Sequence, residues 1–231
     1  MFPSGRLALA ERYADWLADE GVVRGLIGPR EAPRLWERHL LNCAVLGEAV
    51  PEGARVVDLG SGAGLPGLVL AVARPDVDVT LVEPLLRRTT FLEEVCADLA
   101  PLGLDNVTVV RGRAEALHGE RTFDVVTARA LAPLERLLGW GMPLVDPHGA
   151  LVAMKGSSAL AEIEAAAPVL HRLRCAPPEV LDLGAGLVEQ PTRVVRVVWA
   201  EPSEVGWRSG RGADRPAGRR SGRPSGTGRR R

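Results

Sequence analysis

Hydrophobic and polar residues follow two alternating periods along the middle of the chain. Short apolar runs rich in valine and leucine are typical of parallel strands that are buried on both faces. Between these runs, apolar residues recur every three or four positions, as they do on the packed side of a helix. The predicted strands lie at 54–59, 78–83, 106–110, 123–128 and 150–154. The predicted helices lie at 66–74, 85–100, 133–141 and 158–172.

The pattern changes after the last of these helices. Apolar runs at 179–183 and 192–199 have no long helix between them, which predicts an antiparallel hairpin. The strands before them alternate with helices, which is typical of a parallel sheet covered on both faces. We therefore expect an α/β, Rossmann-like fold with a mostly parallel, seven-stranded sheet that ends in an antiparallel hairpin.

The two ends of the chain differ from this central region. Helical spacing at 6–20 and at about 30–50 predicts two helices that cover the sheet. After about residue 203, glycine, serine, proline and arginine replace almost all apolar residues, so we expect disorder there. The predicted parts are a helical cap at 1–50, an α/β domain at 51–202 and a disordered tail at 203–231.

A glycine-rich turn follows the first predicted strand and precedes the first helix of the domain. Gly60, Gly62 and Gly64 allow a tight turn and the close approach of a ligand. Asp58 lies inside the apolar strand, and Glu83 ends the next strand, where a doubly wound fold presents a carboxylate to ribose hydroxyls. The turn resembles the S-adenosylmethionine (SAM) loop of class I methyltransferases. It also fits the dinucleotide fingerprint, so SAM and NAD are both candidate ligands.

Further candidate residues follow the other strands, because a ligand of an open parallel sheet lies at the carboxyl ends of its strands. Ala114 and Glu115 follow the third strand, where an adenine edge would meet backbone amides and a carboxylate. Arg129 follows the fourth strand, and Lys155 follows the fifth, where it suits a phosphate or base contact. The alternative interpretation of Arg129 is a structural salt bridge, and that of Glu83, Glu115 and Lys155 is a solvated residue at a strand end.

Two kinds of methyl-transfer chemistry lack their residues in this sequence. Residues 128–133 do not form the Asn/Asp-Pro-Pro-aromatic turn that adenine amino methylation usually requires. Methylation of pyrimidine C5 needs a cysteine nucleophile, but none of Cys43, Cys96 and Cys175 follows a strand. Their spacing also predicts no zinc site, and we expect no metal. Guanine N7 carries a lone pair and no proton, so its methylation needs alignment and no general base.

The formal net charge of +0 is the sum of two parts of the chain that carry opposite charges. From Arg208 to Arg231 nine arginines and one aspartate give +8, and the other 20 basic and 28 acidic residues give −8. The basic tail is therefore either an electrostatic arm for RNA or a dispensable extension. Since no apolar run reaches about 18 residues and no secretory leader is recognisable, we expect a cytoplasmic protein without a membrane partner.

The chain resembles the RsmG (GidB) family of 16S rRNA guanine-N7 methyltransferases between about Ala10 and Trp199. The resemblance implies a class I SAM-dependent methyltransferase that methylates N7 of the guanine at position 527, in the 530 loop. Its implied partner is 16S rRNA or the assembling small ribosomal subunit, and we expect a monomer. The matching segments lie at 38–43, 58–67, 87–92, 128–130 and 154–156.

The resemblance also implies roles for individual residues. Asn42 and Cys43 replace the Asp-Ser pair that usually follows the histidine of the family, which leaves the role of that pair open. His39 and Lys155 are expected on the RNA-facing side, although a lone histidine on a helix is often a packing residue. A small-molecule methyltransferase and a non-catalytic or NAD-binding module are the alternative functions. The expected SAM-binding residues are Gly60, Gly62, Leu65, Glu83, Ala114, Glu115 and Arg129, of which Arg129 is also the candidate for positioning the reactants.

Overall fold

Seven strands form one sheet in the computed structural model, which describes residues 1–205. The predicted tail therefore lies outside the described residues, apart from its first three positions. The strands are β1 Arg55–Leu59, β2 Asp78–Glu83, β3 Val107–Arg111, β4 Phe123–Arg129, β5 Val145–Met154, β6 Glu179–Leu183 and β7 Thr192–Val197. The helices are α1 Leu7–Ala18, α2 Glu20–Val23, α3 Asn42–Ala44, α4 Gly67–Ala73, α5 Leu86–Leu99, α6 Leu134–Gly141 and α7 Ala159–Arg172.

The strand order confirms the predicted fold class. The order is β3-β2-β1-β4-β5-β7-β6, and the first five strands pair in parallel. β7 pairs antiparallel with both β5 and β6, which is the predicted hairpin. The order reverses between β1 and β4, and ligands of open α/β sheets bind at such a reversal. No helix within residues 1–205 is both long and apolar enough to cross a lipid bilayer.

Alternate residues of each strand supply two hydrophobic cores. Val56 faces the core that contains α4, α5 and the N-terminal helix α1. Val57 faces the opposite core, which contains α6 and α7. The N-terminal segment therefore shares its core with two helices of the domain. The domain boundaries at residues 50 and 202 stay predictions.

Residues 32–49 are helical throughout, but they do not form the single regular helix predicted at about 30–50. In its place the chain forms four short helical segments of different types. Arginines from outside the segment bind its carbonyl groups: Arg74 Nη1 lies 2.8 Å from both Gly47 O and Val50 O, and Arg129 Nη2 lies 3.2 Å from Arg38 O. Since these carbonyls accept tertiary hydrogen bonds, one regular helical ladder is not needed. The segments are the 3₁₀ turn Ala32–Arg34, the π-helix Trp36–Leu41, α3 and the 3₁₀ turn Val45–Ala49.

Helix α1 contacts the glycine-rich turn directly. The buried hydroxyl of Tyr13 donates a hydrogen bond to Ala63 O at 2.7 Å. A Cβ atom at Gly64 would lie 2.7 Å from that hydroxyl oxygen. Burial raises the pKa of Tyr13 well above its usual value, so the hydroxyl keeps its proton and remains a donor. The N-terminal helix thus fixes the conformation of a turn some fifty residues later in the chain.

Helix α4 begins in direct contact with β1 and β2. A Cβ atom at Gly67 would lie 2.5 Å from Leu81 Cδ2 and 2.7 Å from Asp58 Cβ. The Gly67 N–H donates to Asp58 Oδ2 at 2.9 Å. Asp58 is fully buried, and this burial raises the pKa of its carboxyl group to about 7. Only glycine permits this approach, which anchors the start of α4 to the sheet.

We expect Gly67→Ala to lower the free energy of unfolding by about 1–3 kcal/mol, because the added methyl group overlaps with Leu81 and Asp58. The matched control is Gly139→Ala in α6, where nothing lies within 4 Å of the added atom. Alanine is the better helix former, so the control should gain up to about 1 kcal/mol. Urea denaturation of both variants provides the measurement. Equal effects at the two positions would contradict the close packing at Gly67.

Asp58 should make the stability depend on pH. Its pKa rises from 3.8 to about 7 on folding, so the folded state binds the proton more tightly. The stabilising contribution is complete below about pH 4 and is lost as the pH rises towards 7. Asp58→Asn cannot titrate, so the wild type should lose stability relative to this variant across that window. Denaturation curves at several pH values measure the difference in unfolding free energy between the two proteins. A difference that does not change with pH would contradict a buried Asp58 carboxyl group that is protonated below about pH 7.

Candidate active site

The glycine-rich turn bends over the end of β2. The N–H groups of Gly60 and Ser61 both donate to Val82 O, at 2.8 and 3.2 Å. Gly60 has a φ of 67°, in the left-handed region that favours glycine. A Cβ atom there would overlap with Leu131 Cδ1, so the side chain of Leu131 lies against this glycine. The turn therefore brings the ends of β1, β2 and β4 together.

Glu83 is buried beside this turn. Its carboxylate accepts hydrogen bonds from the N–H groups of Gly62 at 3.1 Å and Leu85 at 3.0 Å. Arg88 Nη1 adds a longer contact of 3.4 Å, and the Arg88 side chain is 36% exposed. A carboxylate has about four acceptor positions, so within the described residues one remains. Glu83 is 1% exposed, and Arg88 makes the longest of the three contacts with its carboxylate.

Two clefts meet at Gly60. The first, here called the Trp140 cleft, has a volume of about 330 Å³, and the second, the His39 cleft, has about 360 Å³. The Trp140 cleft is lined by Leu59, Gly60, Val82, Pro84, Gly112, Arg113, Ala114, Glu115, Leu131 and Trp140. The His39 cleft is lined by Leu26, Ile27, His39, Gly60, Ser61, Gly62, Ala63, Leu65, Arg88, Arg129 and Ala130.

The two clefts contain nearly all of the predicted cofactor-binding residues. Ala114 and Glu115 line the Trp140 cleft, in a short 3₁₀ turn after β3. Gly62, Leu65 and Arg129 line the His39 cleft. The apolar walls of the first cleft suit a nucleobase, and the charged groups of the second suit a polar chain. The residues present therefore fit a nucleoside that carries an amino acid, as SAM does.

Arg129 joins the end of β4 to the N-terminal segment. Its Nη2 atom lies 2.6 Å from His39 Nδ1, and its Nη1 atom lies 3.2 Å from Cys43 Sγ. Arginine only donates, so His39 Nδ1 accepts and Nε2 carries the proton towards Glu31 Oε2 at 3.2 Å. Burial and the charge of Arg129 lower the pKa of His39, which keeps the ring neutral. The ring of His39 is thus occupied by Arg129 and Glu31, and its contact with RNA stays a prediction.

A third and larger cleft, here called the Lys155 cleft, lies beside Arg129 and has a volume of about 740 Å³. The Lys155 side chain is only 9% exposed, and its Nζ atom lies 2.7 Å from Glu162 Oε2 and 2.8 Å from Ala132 O. The local sequence pattern does not predict this ion pair, and a contact of Lys155 with RNA stays a prediction. The cleft is lined by Asn42, Arg129, Ala130, Leu131, Ala132, Pro133, Met154, Lys155, Gly156, Ser157, Glu162, Gln190, Pro191, Thr192 and Arg193.

Sequence analysis missed two residues that border these clefts. Trp140 follows the apolar pattern of α6, so it was indistinguishable from a core residue. Leu131 lies two positions after Arg129, in a stretch that lacks any recognisable motif. The available signal is a large apolar residue just beyond a charged strand end. Leu131 lines both the Trp140 and the Lys155 cleft.

Comparison with known proteins gives a consistent family assignment. The family model described as GidB, rRNA small subunit methyltransferase G, matches residues 6–186. A ribosomal RNA small subunit methyltransferase G from Nocardioides sp. is 69% identical over 207 residues, which cover 90% of this chain and 82% of the relative. The protein of the same name from Thermobifida fusca is 56% identical over 216 residues, which cover 93% of this chain and 90% of the relative.

Solved structures support the fold. The ribosomal protein L11 methylase from Lactobacillus delbrueckii subsp. bulgaricus superposes with a TM-score of 0.50 at 18% identity, covering 68% of this chain and 77% of that chain. A precorrin-6y C5,15-methyltransferase from Geobacter metallireducens also gives 0.50, at 15% identity, covering 76% and 91%. Identities this low concern the fold alone. The family match over most of the length and the high identity of the relatives show that the chain belongs to the rRNA small subunit methyltransferase G family.

Proposed function

We propose that the protein transfers a methyl group from SAM to N7 of a guanine in the 530 loop of 16S rRNA. The observation that carries this proposal is the meeting of the Trp140 and His39 clefts at Gly60, beside the open Lys155 cleft. The relatives are named ribosomal RNA small subunit methyltransferase G, which supports rRNA as the substrate class. The protein acts as a monomer on 16S rRNA or on the assembling small subunit.

In this proposal the cofactor lies across Gly60. Glu83 binds the ribose hydroxyls, since it ends β2 beside the turn and keeps an acceptor position. Ala114 and Glu115 bind the adenine in the Trp140 cleft. In the His39 cleft, Gly62, Leu65 and Arg129 contact the amino-acid end of the cofactor. The antiparallel pairing of β7 with β5 favours SAM over NAD, because a dinucleotide-binding sheet would continue with parallel units.

Methyl transfer to guanine N7 requires little of the protein besides the alignment of the two reactants. Bound SAM supplies an electrophilic methyl group on a sulfonium. Guanine N7 offers a lone pair, so the residues of the site need only orient the base and exclude water. Burial raises the pKa of the Cys43 thiol to about 11, so this cysteine is no nucleophile. Arg129 is held by His39 and Cys43, so its positive charge has a fixed position that can orient both reactants.

The arginine-rich end of the chain is part of the proposal. Nine arginines and one acidic residue lie between Arg208 and Arg231, outside the described residues. Such a composition binds polyanions through phosphate contacts without sequence preference. The rest of the chain carries a formal charge of −8, which repels RNA. An RNA-binding arm compensates for that repulsion, and the clefts that His39 and Lys155 line are the proposed side of approach for the RNA.

We expect Glu83→Ala and Arg129→Ala to weaken SAM binding about 10- to 100-fold each, since each removes a charged hydrogen-bonding group. Isothermal titration calorimetry with SAM and S-adenosylhomocysteine measures the affinity. Glu179→Ala is the control, because this exposed residue of β6 lies outside all three clefts. Because Arg129→Ala loses the hydrogen bonds to His39 and Cys43, thermal unfolding checks that this variant is still folded. Unchanged affinity in both variants would remove Glu83 and Arg129 from the cofactor site.

The substrate is tested in a strain from which the gene for this protein is deleted. Its 16S rRNA should lack 7-methylguanine in the 530 loop, and the wild-type chain should restore it. Chemical cleavage at 7-methylguanine followed by reverse transcription detects the base. The Glu83→Ala variant should not restore methylation at the wild-type rate. Methylation that persists in the deletion strain would reject the proposed function, and assays on naked rRNA and on small subunits would identify the substrate form.

A further inference from the structure

The loop at residues 130–133 lies between two of the clefts. Leu131 is 38% exposed, lies against Gly60 and lines both the Trp140 and the Lys155 cleft. Ala130 has a φ of 51°, which residues with a side chain rarely adopt. A strained conformation of this kind persists when neighbouring groups hold it. The position of Leu131 therefore depends on whatever fixes this loop.

A single ion pair holds the loop on both sides of Pro133. Lys155 Nζ donates to Ala132 O at 2.8 Å and contacts Glu162 Oε2 at 2.7 Å. The same Glu162 oxygen accepts the Leu134 N–H at 2.8 Å. The carbonyl before the proline and the amide after it thus bind opposite members of the pair. The Lys155–Glu162 pair therefore connects β5 and α7 to the loop on both sides of Pro133.

The pair is charged and well hydrogen-bonded. Ser158 Oγ donates to the other oxygen of Glu162 at 2.9 Å. Burial tends to raise the pKa of Glu162, but the hydrogen bonds from Lys155, Leu134 and Ser158 lower it below its usual value. A pair that is partly withdrawn from water is favourable only when such additional hydrogen bonds exist. Two of the three ammonium N–H groups of Lys155 are therefore used within the described residues, in a side chain that solvent barely reaches.

We propose that Lys155 and Glu162 are positioning residues for methyl transfer, which hold loop 130–133 so that Leu131 borders the place where the target base meets the cofactor. The inference rests on the proposed function and makes it more specific. Lys155 acts on the base through the backbone of Ala132, and binding of an RNA phosphate by its ammonium group is the competing outcome. A shift of about 1 Å in such a loop changes rates about 100-fold, because the reacting atoms must be aligned.

The experiment compares Lys155→Met, Glu162→Gln and the double variant with the wild type. Glu179→Gln is the matched control, because it breaks an exposed ion pair on the hairpin, in which Arg196 Nη1 lies 2.7 Å from Glu179 Oε2. Single-turnover methylation of unmethylated small subunits gives the rate at saturation, and filter binding at several salt concentrations gives the affinity. Each single variant should lower the rate about 10- to 100-fold. The double variant should be no slower than the slower single variant, and the affinity for the subunit should stay the same in all variants.

A different result overturns the inference. If Lys155 binds a phosphate, Lys155→Met weakens RNA binding and lowers the salt slope by about one, and Glu162→Gln leaves both unchanged. Rate losses that multiply in the double variant would also overturn it, because residues of one unit are not additive. Lys155→Arg keeps the charge and should recover most of the rate if the pair with Glu162 is what matters.

Hydrogen exchange separates this inference from the proposed function. Amides at 130–136 should exchange faster in Lys155→Met and Glu162→Gln than in the wild type, both alone and with S-adenosylhomocysteine. This measurement does not depend on methylation activity. It also detects a variant that fails to fold, because hydrogen exchange would then be faster throughout the chain. If the wild type does not methylate rRNA but the loop responds locally, only the proposed function fails. If the loop exchanges equally in all variants, the positioning role fails.

Discussion

The structure depends on the turn after β1, which three buried side chains hold from three elements. Asp58 of β1 accepts from the Gly67 N–H, Glu83 of β2 accepts from the Gly62 N–H, and Tyr13 of α1 donates to Ala63 O. A turn rich in glycine has high conformational freedom and needs such contacts to adopt one conformation. The Asp58 and Tyr13 contacts are buried and the Glu83 contact is partly buried, so the loss of a partner would leave a polar group without its hydrogen bond. This glycine-rich turn also determines where the Trp140 and His39 clefts meet, because Gly60 lines both.

Arg129 defines the opposite side of the site. It ends β4, lines two of the clefts and donates to the N-terminal segment through His39, Cys43 and the Arg38 carbonyl. Because His39 Nδ1 accepts a hydrogen bond from Arg129, the ring is neutral, and its Nε2–H donates to Glu31. The N-terminal segment consequently forms one wall of the His39 cleft, where it orients the charge of Arg129, and it shares a core with α4 and α5.

Two carboxyl groups near the carboxyl edge of the sheet, those of Asp58 and Glu162, are stabilised in different ways. Asp58 has no partner for Oδ1 among the described residues and holds its proton up to about pH 7, whereas Glu162 is paired with Lys155 and hydrogen-bonded by Leu134 and Ser158. The first arrangement anchors the start of a helix, and the second anchors a loop. In each case one backbone N–H donates to the carboxyl group, Gly67 to Asp58 and Leu134 to Glu162, so each side chain holds a segment of backbone near the site.

The sequence by itself determined the order of strands and helices, the hairpin, the glycine-rich turn and the acid at Glu83, because periodicity and glycine spacing are local properties. Only the tertiary structure decided that the segment at 30–50 is divided, that Tyr13 reaches Ala63, and that Lys155 is paired with Glu162. Apart from the Lys155–Glu162 pair, these contacts join residues far apart in the chain, and each side chain had several possible partners. Burial patterns reveal that a residue is inside, whereas its hydrogen-bond partner follows from how the elements pack.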